Sequence, residues 1–535
     1  MSDAPQRFDA VIVGAGFSGM YMLHRLRELG FSCHVLEAGD GVGGTWYWNR
    51  YPGARCDSES MYYSYSFSSE LEQEWNWTER YPGQPEILKY LNHVADRFDL
   101  RRDITFDTRV NAAHYDEAAN EWTITTAAGD TLVATFCIMA TGCLSSPNAP
   151  GITGLDTFEG ATYHTGEWPH EGVDFTGKRV GIIGTGSSAI QAIPLIAEQA
   201  EHLTVFQRTP NFMVPAHNGP LDPEFERDWK ADYAEWRRKG RESFGGFPYP
   251  AGNRSALELS AEEQLEAYEE AWKIGGFRFL STFYDLIINE DANETAAEFV
   301  RSKIAQIVKD PETAQKLMPR DYPIGTKRLA LDTHYFETYN RDNVTLVDIK
   351  TNPIEAITPS GIRTADDEHT FDAIVFATGF DAMTGALSKI DIRGRGDLAL
   401  QEKWEAGPKA YLGLGIAGFP NLFTITGPGS PSVLSNMPVS IEQHVDWIAD
   451  CLVYLRERNV VAIEATVEAE EAWVAHVNEV AGFTLFPRAN SWYIGANIPG
   501  KPRVFMPYVG GVGPYRARCN EIAAKDYDGF ALTSV

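Results

Sequence analysis

Two glycine-rich turns carry the clearest chemistry in this sequence. They read Gly14-x-Gly16-x-x-Gly19 and Gly184-x-Gly186-x-x-Ala189. In turns of this kind the small residues let backbone N–H groups approach a pyrophosphate, and the third position lets a helix pack closely on a strand. Each turn lies between an apolar run of strand type and a run with the apolar spacing of a helix. The pair therefore predicts two dinucleotides bound at separate sites.

The strand that follows each turn ends in different chemistry. Glu37 ends the first of these strands, 23 residues after Gly14, close to the spacing at which a carboxylate meets a ribose hydroxyl. The second ends in Gln207-Arg208-Thr209, where a cation and a hydroxyl suit a ribose 2′-phosphate that a carboxylate would repel. We therefore predict NADPH at the second site, selected by Arg208 and Thr209, and FAD at the first.

These turns need parallel strands beside them and helices behind them. The apolar runs 138–142 and 374–379 both end in Ala-Thr-Gly, which is typical of strands that turn beneath a nucleotide. The stretch from about 215 to 332 lacks glycine-rich turns of the Rossmann type, and its capping box at residues 260–263 indicates helices. The predicted fold class is α/β, with two Rossmann-like dinucleotide-binding domains and a mainly helical insertion. The irregular segment 491–501 is predicted to be a functional loop.

Composition narrows the functional classes. The 535 residues exceed one ordinary domain, and 74 acidic against 46 basic residues give a net charge of −28, which disfavours binding to nucleic acid or anionic membranes. No apolar run approaches the roughly 20 residues of a membrane span, and no apolar signal region begins the chain, so we expect a cytoplasmic protein. The six cysteines form no C-x-x-C pair and are expected to be buried thiols. No metal site is predicted.

The segment between the two turns carries a specific resemblance. Its pattern Phe158-x-Gly160-x-x-x-His164-x-x-x-Trp168-Pro169 resembles the fingerprint of the type I Baeyer-Villiger monooxygenases. The stretch 43–57 and the loop around Trp492 resemble the phenylacetone, steroid and cyclohexanone monooxygenase branch, so the similarity covers nearly the whole chain. The resemblance implies an enzyme that uses FAD, NADPH and O₂ to convert a ketone to an ester or lactone through a C4a-peroxyflavin.

The resemblance also implies roles for individual residues. Arg328 matches the family's active-site arginine, which stabilises the anionic peroxyflavin and the tetrahedral intermediate, and Asp57 matches the carboxylate that positions it. Lys327 matches a residue that joins Arg208 and Thr209 around the 2′-phosphate. Trp492 matches a residue that touches the nicotinamide nucleotide when its loop closes. For His164 we favour a hinge role over direct catalysis, because glycines flank it in a linker.

Further contacts are expected around both cofactors and the substrate. The predicted cofactor-binding residues are Gly14, Gly16, Phe17, Gly19, Glu37, Gly44, Thr45, Trp46, Asp57, Val110, Gly184, Gly186, Ser187, Ser188, Arg208, Thr209, Lys327, Arg328 and Trp492. The predicted substrate contacts are Ser432, Val433, Leu434 and Met437.

The two domains are expected to be discontinuous in sequence. The predicted partition is an FAD-binding domain from 1–145 and 381–535, an NADP-binding domain from 146–214 and 333–380, and the helical insertion from 215–332.

Three other functions share part of this pattern. A flavin monooxygenase that oxidises nitrogen or sulfur has the same two turns but does not need Arg328. A non-catalytic sensor that binds FAD and NADPH is also compatible with the fold. A disulfide reductase is disfavoured because it requires a redox cysteine pair.

Overall fold

The computed structural model describes residues 5–148 and 150–534. Its strands are β1 (Gln6–Val13), β2 (Cys33–Leu36), β3 (Ile104–Thr105), β4 (Val110–Asp116), β5 (Glu121–Thr126), β6 (Thr131–Met139), β7 (Ala161–His164), β8 (Arg179–Ile183), β9 (His202–Gln207), β10 (Met213–Pro215), β11 (Ala330–Asp332), β12 (Val344–Asp348), β13 (Ile354–Thr358), β14 (Gly361–Thr364), β15 (Glu368–Thr370), β16 (Ala373–Phe376), β17 (Asp391–Arg393), β18 (Leu422–Thr424), β19 (Val460–Ala465) and β20 (Phe530–Ser534).

The α-helices follow the same chain order. They are α1 (Phe17–Glu28), α2 (Thr45–Trp48), α3 (Ser69–Glu74), α4 (Gln84–Arg97), α5 (Ser187–Gln199), α6 (Pro223–Ala231), α7 (Tyr233–Glu242), α8 (Ala261–Ile274), α9 (Glu290–Ile307), α10 (Pro311–Leu317), α11 (Tyr335–Thr338), α12 (Gly385–Ser388), α13 (Leu400–Lys403), α14 (Met437–Glu457), α15 (Val467–Gly482) and α16 (Val512–Ala524).

The first glycine-rich turn belongs to an eight-stranded sheet. Its strand order is β17-β4-β5-β6-β1-β2-β3, with β18 paired to β6. Strand β1 lies parallel to both β2 and β6, so its carboxyl end and that of β6 meet at one edge, with Val13 opposite Met139. This is the edge at which nucleotides bind in open parallel sheets. The turn after β1 leads into α1, whose inward face is fully buried and packs against α14.

The second turn belongs to a five-stranded parallel sheet of order β12-β9-β8-β16-β7. Strands β8 and β16 run side by side, with Ile183 opposite Phe376, and the turn after β8 leads into α5. The strands are buried along most of their length, as expected for a parallel sheet covered on both faces. The two sheets repeat the same βαβ arrangement, and the predicted fold class is confirmed.

A largely helical region separates β10 from β11. Helices α6 to α10 fill it, and β10 and β11 close it as a two-stranded parallel pair. The capping box expected at residues 260–263 is present, with reciprocal hydrogen bonds between Ser260 and Glu263 at the start of α8. The helical character of the insertion therefore follows from its local signals. The predicted domain boundaries stay a prediction.

Two connecting segments cross between the sheets side by side. The residues after β6 bond to the residues after β16 through Asn148 N–H to the Gly379 carbonyl (2.9 Å), Asp381 N–H to Ser146 (2.8 Å) and Met383 N–H to Cys143 (2.9 Å). We call these segments, 142–148 and 377–383, the paired linkers. All six cysteines are buried free thiols. Within the described residues, no helix has the length and apolar character required to cross a membrane.

Candidate active site

The first turn is crowded by the neighbouring strand end. A Cβ at Gly14 would lie 2.6 Å from the carbonyl oxygen of Ala140, and one at Gly19 would overlap the carbonyl oxygen of Gly14. Gly14 also has φ of +105°, a conformation that side chains disfavour. Only glycine therefore permits α1 to start directly against the end of β1. This geometry fits a cradle for the pyrophosphate of FAD at the helix N-terminus.

Glu37 lies at the end of β2, as expected from its spacing. Its side chain is buried and accepts hydrogen bonds from the N–H groups of Ala15 (2.6 Å) and Gly39 (2.8 Å). Burial raises the pKa of this carboxyl, and the backbone N–H donors oppose the shift. Val110 packs in the same apolar cluster as Val13 of β1. Glu37 thus lies beside the first turn, where the ribose of a bound dinucleotide is expected, and Val110 follows two residues after Thr108, whose N–H donates to the Glu37 carbonyl at 2.8 Å.

The stretch containing Gly44, Thr45 and Trp46 folds over the first turn. A Cβ at Gly44 would lie 2.9 Å from the Cα of Gly16, which shows how closely the two backbones approach. The Trp46 indole is buried and donates to the Tyr63 hydroxyl at 3.1 Å. Phe17, the first residue of α1, is also buried. The first site is therefore enclosed by protein on both sides of the turn.

The second turn has the same backbone shape but is more open. A Cβ at Gly184 would overlap the Ala377 carbonyl, just as Gly14 meets Ala140. In contrast, a Cβ at Gly186 would meet nothing within 4 Å. Gly186 and Ser187 are exposed, and Ser188 is partly exposed. The N-terminus of α5 is therefore accessible to the phosphates of NADPH.

The predicted 2′-phosphate residues lie together beside the second turn. Thr209 is tied to the turn because the Thr185 hydroxyl donates to its carbonyl at 2.9 Å. The Lys327 ammonium lies over the Tyr322 ring at 4.3 Å, and the Tyr322 hydroxyl donates to the carbonyl of Pro210 at 3.0 Å. Burial, and then the charge of the exposed Arg208, lower the pKa of Lys327 to about 8. Two cations close enough for one to lower the other's affinity for a proton are suited to binding a phosphate between them.

Arg328 and Asp57 form a two-point ion pair although 271 positions separate them in sequence. Arg328 Nε donates to Asp57 Oδ2 at 2.6 Å, and Nη2 donates to Oδ1 at 2.7 Å. Each side chain retains about a quarter of its exposure (24% and 23%), so one face of the pair is accessible. Burial lowers the pKa of Arg328, but the charge and hydrogen bonds of Asp57 outweigh it and raise the pKa above its usual value. The guanidinium is therefore a permanent positive charge.

Three further groups fix the Arg328 side chain. Its Nη1 donates to the carbonyl of Val433 at 2.6 Å, and the guanidinium carbon lies 5.1 Å from the centre of the Phe277 ring. The buried Tyr493 lies near it as well. Burial raises the pKa of the Tyr493 phenol to about 12, and the positive charge of Arg328 opposes this rise. A guanidinium has five N–H groups, so the three bonds to Asp57 and Val433 leave two that can donate elsewhere.

The predicted substrate residues lie next to this arginine. Ser432 and Val433 are buried, whereas Leu434 and Met437 are partly buried. Val433, Leu434 and Met437 belong to one apolar cluster that also contains Cys143 and Tyr493. An apolar wall that carries one carbonyl bonded to a cation is suited to a small, largely apolar ligand with one polar group.

The linker motif contacts both paired linkers. His164, at the end of β7, lies 3.1 Å from the Thr378 hydroxyl through Nε2, and its Nδ1 accepts from the Gly166 N–H at 3.0 Å. The Thr378 hydroxyl in turn donates to the Asn148 carbonyl at 2.7 Å. Nδ1 is thus an acceptor and Nε2 carries the proton, and burial lowers the pKa of the ring. This placement favours the hinge role that we predict for His164.

The other motif residues hold β7 in place. A Cβ at Gly160 would press on the Phe158 ring at 2.5 Å. The Trp168 ring is buried against Tyr163, with ring centres 5.5 Å apart, and the Pro169 carbonyl closes a turn with Gly172 N–H at 3.1 Å. Glycine is thus required beside Phe158, and the motif has a packing role at the edge of the second sheet.

The loop that contains Trp492 is fastened to one of the paired linkers. Trp492 is partly buried with its ring centre 4.3 Å from that of Tyr493. Beyond it, Asn497 donates to the Phe380 carbonyl at 2.7 Å, and Lys501 Nζ forms an ion pair with Asp381 at 2.5 Å. Trp492 therefore lies one residue from the tyrosine at Arg328. Its predicted contact with the nicotinamide nucleotide stays a prediction.

Several residues at Arg328 were not found from the sequence. Phe277 lies in the aromatic-rich insertion, and Tyr493 adjoins the predicted Trp492, but neither has a spacing that marks it. The Val433 carbonyl is a backbone group, which no side-chain pattern can identify. Among the described residues, no cluster of three or more His, Cys, Asp or Glu side chains suits a metal ion.

Known proteins resemble this chain over its full length. Residues 11–227 match the family model described as pyridine nucleotide-disulphide oxidoreductase. A protein named Baeyer-Villiger monooxygenase from Pseudooceanicola batsensis is 46% identical over 98% of this chain and 95% of its own length. A phenazine N-monooxygenase from Lysobacter antibioticus is 44% identical over 98% of this chain and 97% of its own length.

Solved structures give the same result. An oxidised steroid monooxygenase bound to NADP is 55% identical and superposes with a TM-score of 0.95, covering 99% of this chain and 100% of its own. A further structure, the complex of OTEMO with FAD and NADP, is 41% identical, with a TM-score of 0.96 over 99% and 100% of the two chains. At these identities over nearly its whole length, the chain belongs to the Baeyer-Villiger monooxygenase family.

Proposed function

We propose that this protein uses FAD, NADPH and O₂ to insert one oxygen atom beside the carbonyl group of a small apolar ketone, giving an ester or lactone. The observation that carries the proposal is the two-point Arg328–Asp57 ion pair with its accessible face. This pair joins the two nucleotide sites. Asp57 follows the stretch that folds over the first turn, and Arg328 adjoins Lys327 of the second.

When bound, FAD reduced by NADPH supplies the chemistry that activates O₂. The protein must then stabilise negative charge on oxygen while the ketone carbonyl is attacked. A guanidinium provides this charge across the working pH range, and a fixed N–H donor aimed at a developing oxyanion is among the largest single contributions to catalysis. Arg328 fits because Asp57 and the Val433 carbonyl prevent its side chain from reorienting.

Asp57 has a positioning role in this proposal. It accepts from Nε and Nη2 together, so the plane of the guanidinium is fixed and its remaining N–H groups point away from the carboxylate. Trp492 and Tyr493 pack in the same apolar cluster as Val433, so apolar side chains line this part of the surroundings of Arg328. A drier site strengthens the interaction between a fixed cation and a developing anion.

Replacement of Arg328 tests the proposal. In Arg328→Ala we expect anaerobic reduction of the flavin by NADPH to proceed near the wild-type rate, whereas ester formation falls by roughly 10²–10³-fold or more, as when a single oxyanion donor is removed. Stopped-flow absorbance of the flavin and mass analysis of the product measure the two steps separately. Arg363→Ala, which removes an exposed arginine of β14 that pairs with Glu355, serves as a control. Normal ester yield in Arg328→Ala would rule out the assigned role.

Oxidation of a nitrogen atom is the second candidate, because one relative is named phenazine N-monooxygenase, and phenazine is a nitrogen heterocycle. The two reactions differ in their products. We expect a panel of ketones to give products 16 mass units heavier that hydrolyse as esters, with matched use of NADPH. A panel of tertiary amines and nitrogen heterocycles that gives N-oxides, with no ester from any ketone, would favour the second candidate.

We also propose the domain partition given above. The two sheets support it, since β1 to β6 and β17 to β18 form one sheet while β7 to β9, β12 and β16 form the other. The cytoplasmic location is proposed from composition and is tested by cell fractionation.

A further inference from the structure

The loop that carries the Val433 carbonyl is held in an unfavourable backbone conformation. Thr426 has φ of +59° and Ser432 has φ of +41°, although neither is a glycine and both are buried. Such conformations persist only where surrounding contacts determine them. We call residues 426–433 the strained loop. The contacts that hold it also decide where the Val433 carbonyl meets Arg328.

The two strained residues are bonded to each other. The Ser432 hydroxyl donates to the Thr426 carbonyl at 3.2 Å, and the Cys143 sulfur lies 3.1 Å from the same hydroxyl. The Ser432 carbonyl accepts from the Ser435 N–H at 3.0 Å. The conformation at Ser432, one residue before Val433, therefore depends on the position of the Thr426 carbonyl, and so on how the Thr426 backbone is held.

A buried histidine fixes the Thr426 peptide. The Thr426 N–H donates to His444 Nδ1 at 2.9 Å, and His444 Nε2 lies 3.0 Å from the Tyr515 hydroxyl. That hydroxyl donates its own proton to the Leu412 carbonyl at 2.6 Å, so Nε2 must carry the histidine proton. With the proton on Nε2, the Thr426 N–H, the Tyr515 hydroxyl and the Leu412 carbonyl each have a hydrogen-bond partner. His444 is fully buried on α14, and burial followed by the nearby Arg516 lowers its pKa to about 3, which keeps it neutral.

We infer that His444 and Tyr515 are positioning residues for Arg328, acting through Thr426, Ser432 and the Val433 carbonyl. The inference rests on the role proposed for Arg328. Neither residue is assigned a contact with substrate or cofactor. Their neutral hydrogen bonds hold the strained loop so that its carbonyl fixes Nη1, while Asp57 fixes the other side of the guanidinium. Loss of the pair would leave Arg328 charged but less well oriented.

The first test is made on the protein without added cofactor. Hydrogen–deuterium exchange of peptides covering 426–434 reports whether the strained loop is held. In His444→Leu the Thr426 N–H loses its acceptor, and we expect exchange in this segment to be roughly 10-fold faster or more. In His444→Asn the side-chain oxygen can replace Nδ1, and we expect most of the protection to return. Equal exchange in wild type and His444→Leu would overturn the inference.

The second test measures how oxygen is used by the folded holoenzyme. We expect His444→Leu to lower the ester formed per NADPH at least 10-fold and to raise hydrogen peroxide, with KM for NADPH within twofold of wild type. Tyr515→Phe is expected to show a smaller change in the same direction. His444→Asn is expected to keep at least half of the wild-type coupling, that is, of the ester formed per NADPH. If His444 had only a structural role, His444→Leu would instead lower the FAD content and the unfolding temperature. Its FAD-loaded fraction would then form as much ester per NADPH as the wild type does.

Matched substitutions elsewhere serve as controls. His202→Asn alters a partly exposed histidine bonded to Thr345 in the second sheet, and Tyr454→Phe removes a hydroxyl bonded to Asp526 on the surface. Both should leave exchange at 426–434 and coupling unchanged. If wild-type enzyme yields no ester from any ketone, the proposed function fails. If wild type yields ester and His444→Leu keeps wild-type coupling, only the present inference fails.

Discussion

The two dinucleotide turns have the same backbone but different surroundings. In the first, Gly19 stands where a Cβ would overlap the Gly14 carbonyl, and the stretch 43–48 covers the turn. In the second, the corresponding residue is Ala189, so a methyl group is accommodated there. A Cβ added at Gly186 would meet nothing within 4 Å. The first site is therefore built to retain a cofactor, whereas the second is open and suited to a cofactor that enters and leaves.

The charged side chains at the two strand ends also differ in how far the protein encloses them. Glu37 is buried and bonded to backbone N–H groups, so it is a fixed part of its site. Arg208 is exposed, and Lys327 contacts an aromatic ring rather than a carboxylate. Cations without a close anionic partner can form strong bonds with an incoming phosphate at small cost. The comparison indicates that the predicted contacts to the ribose differ in kind: a buried carboxylate held by backbone N–H groups at the first site, and more accessible cations at the second.

Substitution of Gly19 by Ala should produce the largest effect. The added methyl group would overlap the Gly14 carbonyl, so α1 must move away from β1 and the cradle opens. We expect purified Gly19→Ala to contain less than about a tenth of the wild-type FAD, because overpacking of this kind typically costs about 1–3 kcal/mol or more. Flavin absorbance per chain and the unfolding temperature measure it.

Two variants make that result specific to the first turn. Gly186→Ala places a methyl group in open space. Ala189→Gly gives the second turn the glycine that the first turn has at position 19. Both should retain full FAD content. Comparable loss of FAD in Gly186→Ala would contradict the difference that we draw between the turns.

Replacement of Arg208 should have an intermediate effect confined to the second site. Loss of a charge-assisted bond to a phosphate costs about 1.5–3 kcal/mol, so Arg208→Ala should raise KM for NADPH roughly 10- to 100-fold. NADH lacks the phosphate, and its KM should stay unchanged. Steady-state kinetics with both nucleotides provide the measurement. Arg179→Ala, which removes an exposed arginine paired with Asp372 in the same sheet, should alter neither value.

The smallest expected effect is a pH dependence from Lys327. Its pKa of about 8 lies below the usual value, so the side chain is charged at pH 7 and largely neutral at pH 9. If the charged form binds the phosphate, KM for NADPH should rise up to about tenfold between pH 7 and pH 9, while KM for NADH stays level. In Lys327→Met this pH dependence should disappear. A parallel rise for NADH would place the titrating group elsewhere.

The parts predicted from sequence are those fixed by local geometry. Glu37 and Arg208 follow from strand, turn and helix, because the length of a βαβ unit determines where the second strand ends. The pairing of Arg328 with Asp57 spans 271 positions and could be anticipated only through the family resemblance. Spacing alone gives no information about contacts between segments so far apart.

The unpredicted parts depend on backbone conformation and packing. The Val433 carbonyl meets Arg328 because Ser432 adopts a positive φ, which its residue type does not favour. Phe277 and Tyr493 reach the same arginine from the insertion and from the loop after α15. Aromatic residues are common throughout the chain, so their type alone does not distinguish these two from core residues.

His164 has a consequence for how the enzyme responds to its surroundings. Both ring nitrogens are committed to hydrogen bonds, Nε2 to Thr378 of one paired linker and Nδ1 to the Gly166 N–H, and the lowered pKa keeps the ring neutral near pH 7. These contacts between the second sheet and the paired linker are therefore made by the neutral ring, and only acidification below its lowered pKa would add a ring proton that competes with the Gly166 N–H. A change of pH near neutrality is therefore expected to act at Lys327 of the second site rather than at His164.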